Sequence, residues 1–220
     1  MAISTAISRF SDYYRRNGFL ATIRRAGVAA KRSLFSGRSV LFYCDLAKQT
    51  APPRDLPSFL AVERKKSLAD LGPEDLAAMT SVWNPKLVLK VMKERFDLGA
   101  SAWLIKSRGK LAGYGWTLRG RTVEPHFFPL GQDDVQFIDF HVFPKFRGRG
   151  IDWFLMTEIL RQLAADGIIR AHGEAGEWNQ ASIASFKMSS FHFLGKAKKW
   201  TVLGRTYVRW SQTRPSTTEG

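Results

Sequence analysis

The segment from Val135 to Ala165 constrains the fold more than any other. An aromatic-rich strand pattern, Val135 to Phe143, stops at Pro144. A turn then carries two arginines and two glycines in alternation, Arg147-Gly148-Arg149-Gly150, and an apolar helix pattern runs from Ile151 to Ala165. A strand that feeds a helix through so short a turn calls for a layered arrangement, because the helix must return its apolar stripe to a sheet. The turn ends at a helix N-terminus, where backbone N–H groups are unpaired and the dipole is positive. Such a site suits a pyrophosphate. Gly148 and Gly150 let the backbone approach phosphate oxygens without an intervening Cβ, and Arg147 and Arg149 add charge. The Gly-Lys-Ser/Thr ending of a nucleoside-triphosphate loop is absent, and so is the dinucleotide spacing G-x-G-x-x-G.

The rest of the chain extends the same pattern. Ser39 to Cys44 and Phe59 to Lys66 read as strands, with prolines at 52, 53 and 57 between them. Gly72-Pro73-Glu74-Asp75 opens a helix reaching about Trp83, and Pro85 opens a second that Gly99 ends. Ala102 to Ile105 and Leu111 to Leu118 flank Arg108-Gly109 as a hairpin. After the Ile151 helix, Ile168 to Gly173 predicts a strand and Gln180 to Met188 a helix. Phe191 to Leu194 and Val202 to Val208 predict closing strands. The expected class is α/β (mixed α+β): a central mixed, mostly antiparallel sheet flanked by helices. The expected organisation is a basic N-terminal extension over 1–38, one domain over 39–210 and a polar tail over 211–220.

Charge sets the extension apart. Of the net +15, Arg9, Arg15, Arg16, Arg24, Arg25, Lys31, Arg32 and Arg38 lie in the first forty residues against Asp12 alone. Phe19, Leu20, Ile23, Gly27, Ala30 and Leu34 fall on one helical face there. A basic amphipathic helix of this kind can lie on an anionic membrane surface, or pack its apolar face on the domain. No stretch approaches the roughly 18 apolar residues of a spanning helix, and the first residues lack a secretory signal pattern. Cys44 is the only cysteine, which excludes an internal disulfide and a cysteine-based metal site. His126, His141, His172 and His192 lack zinc-ligand spacing, so no metal is expected. A cytoplasmic protein, peripheral on the inner membrane face through 1–38, is the expectation.

In context the turn resembles the coenzyme A binding motif of the GNAT superfamily of acetyltransferases, Arg/Gln-x-x-Gly-x-Gly/Ala. Arg147 to Ile151 sit in that motif. Asn179-Gln180-Ala181-Ser182-Ile183-Ala184-Ser185-Phe186, followed by Ser190-Phe191, is similar to a second family segment. The resemblance implies acetyl-coenzyme A, or another acyl-coenzyme A, as co-substrate. It implies contacts from Phe140, Val142, Arg147, Gly148, Arg149, Gly150, Ile151, Asp152, Asn179 and Phe186. It also implies that oxyanion-stabilising N–H donors come from a bulged strand within Ile138 to Phe143. Three positions depart from the pattern. Asp152 stands where the family has Gly or Ala, Phe186 stands where many members have a tyrosine that protonates the leaving thiolate, and Ser190 replaces a glycine. A thiol of pKa about 8.5 can leave as thiolate without a side-chain acid.

Such transfer needs a neutral amine and an acceptor for its proton. Asp139 and His141 interrupt the aromatic strand two residues apart, which predicts one shared face with Phe137 and Phe143. His141 is the candidate base and Asp139 its partner, with Glu174 and Glu177 in reserve. Lys196, Lys198 and Lys199 read as a solvated turn.

The functional expectation is an N-acetyltransferase acting on a primary amine of a small molecule or amino sugar, which a membrane-seeking arm would suit in surface-glycan building. Two other readings stay open: a non-catalytic protein of this fold that binds a membrane surface or, less in keeping with the sequence, nucleic acid; and transfer of a longer acyl chain from an acyl-carrier protein.

Overall fold

The computed structural model describes residues 37–48, 56–82, 84–122, 126–203 and 205–212. The predicted extension, apart from its last two residues, and most of the predicted tail therefore lie outside the described residues. Among the described residues eight strands form one sheet: β1 (Arg38–Asp45), β2 (Leu60–Lys65), β3 (Ser101–Ser107), β4 (Lys110–Arg119), β5 (Asp134–Val142), β6 (Arg170–Gly176), β7 (His192–Val202) and β8 (Arg205–Gln212). Their spatial order is β2-β3-β4-β5-β6-β1-β7-β8. All neighbours are antiparallel except β5 and β6. Among the described residues four α-helices cover the sheet: α1 (Pro73–Thr80), α2 (Pro85–Asp97), α3 (Ile151–Ala165) and α4 (Gln180–Met188). This is the mixed, mostly antiparallel sheet flanked by helices that the sequence predicts.

The helix starts follow from local chemistry. Pro73 and Pro85 each occupy a first helical turn, where a missing N–H costs nothing. Asn84 caps α2, its side-chain oxygen accepting from the N–H groups of Lys86 (3.1 Å) and Leu87 (3.3 Å). α3 begins after Gly150 in the left-handed region, a conformation that glycine adopts without the Cβ penalty.

Strand alternation sorts the apolar residues onto two faces. On one, Phe42, Trp103, Phe137, Leu155, Met156, Ile159 and Leu160 pack between the sheet and α3, with Phe186 of α4. Full burial of each such side chain contributes roughly 1.5–3 kcal/mol. Trp103 keeps its polar atom satisfied, its Nε1 donating to Thr117 Oγ1 at 2.8 Å. On the other face, Met79 of α1 and Met92 of α2 cover Leu104, Tyr114, Trp116 and Leu118. Further along that face Phe127, Leu194 and Ala197 pack with Leu41.

β7 differs from the sequence expectation. It continues through the lysines predicted as a solvated turn and reaches Val202, paired with β1 on one side and β8 on the other. Lys196 and Lys198 flank buried Ala197, and Lys199 turns back over the Phe127 ring, so a period-2 strand runs through a segment whose charge suggests a turn.

Candidate active site

β5 and β6 run side by side only at their starts, Asp134 to Gln136 against Arg170 to His172. Beyond Gln136 β5 pairs with β4 alone, and beyond His172 β6 pairs with β1 alone. The two strands therefore part and leave a cleft in the sheet. Its root is fixed by buried Asp134, which accepts from Arg170 Nε at 2.8 Å and from the Gly131 N–H at 2.8 Å.

A bulge shapes the β5 wall. Tyr114 pairs with His141 and Trp116 with Ile138, so two steps on β4 oppose three on β5. Asp139 takes the strain with φ of 53°, a region unfavourable for a residue with a Cβ and best tolerated by Asn and Asp. The extra residue shifts the alternation by one. Ile138, Asp139, His141 and Phe143 lie toward α1 and α2, while Phe137, Phe140 and Val142 lie toward α3. This corrects the predicted face: Phe137 is not beside Asp139 and His141, but stacks on Phe140 with ring centroids 5.3 Å apart. Gly115 accommodates that ring, since a Cβ there would stand 2.5 Å from it.

At the end of β5 the chain enters a short 3₁₀ turn, Pro144–Phe146, and then the glycine turn. Gly148 and Gly150 have φ of 72° and 71°. Arg147, Gly148, Arg149 and Gly150 are exposed, and nothing lies within 4 Å of a Cβ placed on Gly148. Arg147 folds back, its Nε donating to the Val142 carbonyl at 3.0 Å, which pins the turn to the strand end. The open backbone, the helix start and the two guanidinium groups fit a diphosphate of coenzyme A size.

Three residues named from the resemblance are also used by the fold itself. Asn179 caps α4, its side chain accepting from the Ser182 N–H at 3.2 Å. Asp152 accepts from the Ser185 hydroxyl, which ties the first turn of α3 to α4. Phe186 is buried, stacked on Phe42 at 4.9 Å, with its ring over Gly173. The buried ring packs in the core and does not line the cleft surface.

On the face opposite α3, a cavity of about 300 Å³ opens against the bulge. Its apolar walls come from Met79, Val82, Leu87, Val88, Val91 and Met92 of the α1–α2 layer and from Trp116. Asp139, His141, Tyr114 and Arg95 supply all its polar side chains. Asp139 Oδ2 is 2.9 Å from Arg95 Nη1, and the Arg95 guanidinium lies 5.2 Å over the Trp116 ring. Tyr114 stacks on His141 at 5.5 Å, and Phe143 meets the same imidazole edge-on.

Burial, and then the nearby Arg147, push the His141 pKa below its usual 6.5, while Asp139 opposes them. The ring is therefore neutral at pH 7 and can take a proton. Burial first and Asp139 second push the Tyr114 hydroxyl up to about 12, which keeps it a donor. Sequence reasoning missed Arg95, Tyr114 and Trp116, which meet Asp139 and His141 only through the β4–β5 register and the seat of α2. Glu174 accepts from Ser39 Oγ at 2.8 Å, and Glu177 lies 3.4 Å from Lys196. Neither lines the cavity. Among the described residues no cluster of three His, Cys, Asp or Glu side chains is placed to hold a metal ion.

Comparison with known proteins agrees with this geometry. The model of the acetyltransferase (GNAT) family matches residues 68–191. No curated protein matches the chain. Similar solved structures include a Drosophila protein (18% identity, covering 71% of this chain and 47% of that one, TM-score 0.50). A GCN5-related N-acetyltransferase from Sphaerobacter thermophilus shows 14% identity over 81% and 52% of the two chains, with a TM-score of 0.49. A putative GNAT-family acetyltransferase from Novosphingobium aromaticivorans shows 14% over 72% and 61%, with a TM-score of 0.46. The chain covers less than two thirds of each, and at these identities the likeness concerns the fold alone. The family model spans more than half of the chain and includes the parted strands, the glycine turn and α3. This protein belongs to the GNAT acetyltransferase family.

Proposed function

We propose that the protein is an N-acyltransferase that moves an acyl group, acetyl first among the candidates, from acyl-coenzyme A to the primary amine of a small molecule with an apolar body. The observation that carries this reading is the neutral His141 on the bulged wall of a cavity beside a diphosphate-sized turn. The thioester substrate supplies the activated acyl carbon. His141 receives the proton that the attacking amine loses as the new C–N bond forms and the C–S bond breaks. The thiolate departs without a side-chain acid at Phe186, as its pKa of about 8.5 permits. Asp139 and Arg95 neutralise each other, so the cavity places no net charge of its own beside the amine. Tyr114 keeps its proton and offers a hydrogen bond to the acceptor or to His141.

The wall chemistry supports the acceptor class. An amino sugar carries a hydroxyl on most carbons, and burying each without a partner costs roughly 1–3 kcal/mol. Leu87 and Val91, exposed at 45% and 38%, extend the apolar lining outward. The test is release of free thiol from acetyl-coenzyme A with a panel of amines. Turnover is expected with alkyl- and aryl-amines and should exceed that with amino sugars. Preferential turnover of amino sugars would overturn the acceptor class, and no turnover of any amine would overturn the enzyme reading.

A further inference from the structure

We propose that the outward face of the β7–β8 hairpin is a docking surface for an anionic lipid bilayer. Alternation places Lys198, Trp200 and Val202 of β7 on one face with Arg209, Tyr207 and Arg205 of β8. All six are exposed. On the opposite face Ala197 is buried, and Val208 and Trp210 pack with Phe127. β8 ends the sheet order, so no described strand lies beyond it.

The face is layered along the hairpin. At the tip Val202 and Leu203 are 50% and 98% exposed. Behind them Trp200 and Tyr207 stack at 6.0 Å, 42% and 46% exposed. Behind these runs a row of cations across three strands, Arg38 opposite Lys198 and Lys198 opposite Arg209. At about 3.3 Å per strand residue the aromatic row lies roughly 10 Å behind Leu203 and the cation row roughly 16 Å. Aliphatic tip, aromatic belt and cations are the order in which an inserting element meets acyl chains, the interface and acidic headgroups. Arg205, near the tip, has a stem long enough to return its charge to the headgroups.

The charge row disfavours the isolated fold. Like charges directly opposite on neighbouring strands repel. No acid occurs between Trp178 and Thr218, and no described acidic side chain forms an ion pair with Arg38, Lys198, Arg205 or Arg209. An anionic surface relieves that repulsion. Residues 1–36, rich in Lys and Arg, join the fold at the same place: the Gly37 carbonyl accepts from the Lys199 N–H at 2.9 Å. The point where the chain's basic segment attaches is therefore beside the cation row of the hairpin. A basic aromatic face also suits single-stranded nucleic acid, but a bare leucine–valine tip has no role in base stacking, and lipid is the occupant that uses it.

The experiment is co-sedimentation of the full chain with phosphatidylcholine vesicles containing about one third phosphatidylserine, an acidic lipid. Binding is expected to the mixed vesicles, to be weak on pure phosphatidylcholine, and to fall at high salt. Lys198→Glu with Arg209→Glu is expected to weaken binding by roughly tenfold or more, and Leu203→Glu to weaken it by a smaller factor, with unfolding temperatures unchanged. Lys93→Glu with Lys110→Glu, the same charge change on α2 and β4, should leave binding nearly intact. The proposal is overturned if the hairpin variants pellet like wild type, if the control pair loses as much, if pure phosphatidylcholine binds equally well, or if a single-stranded oligonucleotide binds more tightly than the mixed vesicles.

Discussion

The glycine turn and the acceptor cavity lie near the same end of β5 and are built from different materials. The turn is backbone: two left-handed glycines and a helix start, contiguous in sequence and exposed. The cavity is side chains from α1, α2, β4 and β5, brought together by register and by one bulge. A backbone site is specified locally, whereas a side-chain cavity depends on every element that carries a wall. The turn should therefore fail only when its own glycines change. The cavity should respond to several distant substitutions, each altering the amine's handling and leaving coenzyme A binding alone.

The largest effect expected in the cavity is from His141→Ala. The kcat should fall by roughly 10²–10⁴-fold with acetyl-coenzyme A affinity nearly unchanged. The wild-type rate should decline as pH falls through a pKa below 6.5, the direction set by burial and Arg147, because protonated imidazole cannot accept the amine proton. That limb should vanish in the variant. A matching loss of cofactor affinity would merge the two regions.

Phe186→Tyr comes next. The ring lies in the core against Phe42 and Phe191, so the added hydroxyl should cost roughly 1–3 kcal/mol of stability without raising the rate. A faster enzyme of unchanged melting temperature would move Phe186 into the reaction.

A smaller effect is expected from Asp139→Asn. The Asp139 carboxylate supports protonation of His141, so its removal should move the acid limb of the pH–rate profile to lower pH. It also leaves the Arg95 guanidinium, 12% exposed, without its partner. The KM for the amine should rise with little change in coenzyme A affinity. A shift of the limb to higher pH would contradict the arrangement.

How much of this was legible follows the same division. Pro73, Pro85, Pro144, Gly148 and Gly150 act on their own neighbourhood, and the helix starts and the turn follow from them. The bulge left no comparable mark. Asp139 looks like any polar strand residue, and nothing before the β4 register is known shows that Tyr114 faces His141 and Trp116 faces Ile138. Phe137 was assigned to the wrong face for that reason. Arg95 is separated from Asp139 by two strands and lies in a helix with three lysines, so its pairing is visible only in three dimensions. Phe186 fits the family's spacing, yet its ring lies over Gly173, a packing choice that a spacing pattern does not contain.

Calorimetric titration of acetyl-coenzyme A into the wild type, Gly150→Asn and Gly150→Asp tests the central claim most directly. Asn and Asp both tolerate the left-handed conformation and match in size, so they differ mainly in charge. Wild type should bind, Gly150→Asn should bind within roughly tenfold of it, and Gly150→Asp should bind roughly a hundredfold more weakly, with all three unfolding at similar temperatures. Equal affinity for the Asp and Asn variants, both folded, would contradict the assignment of the turn as the diphosphate site.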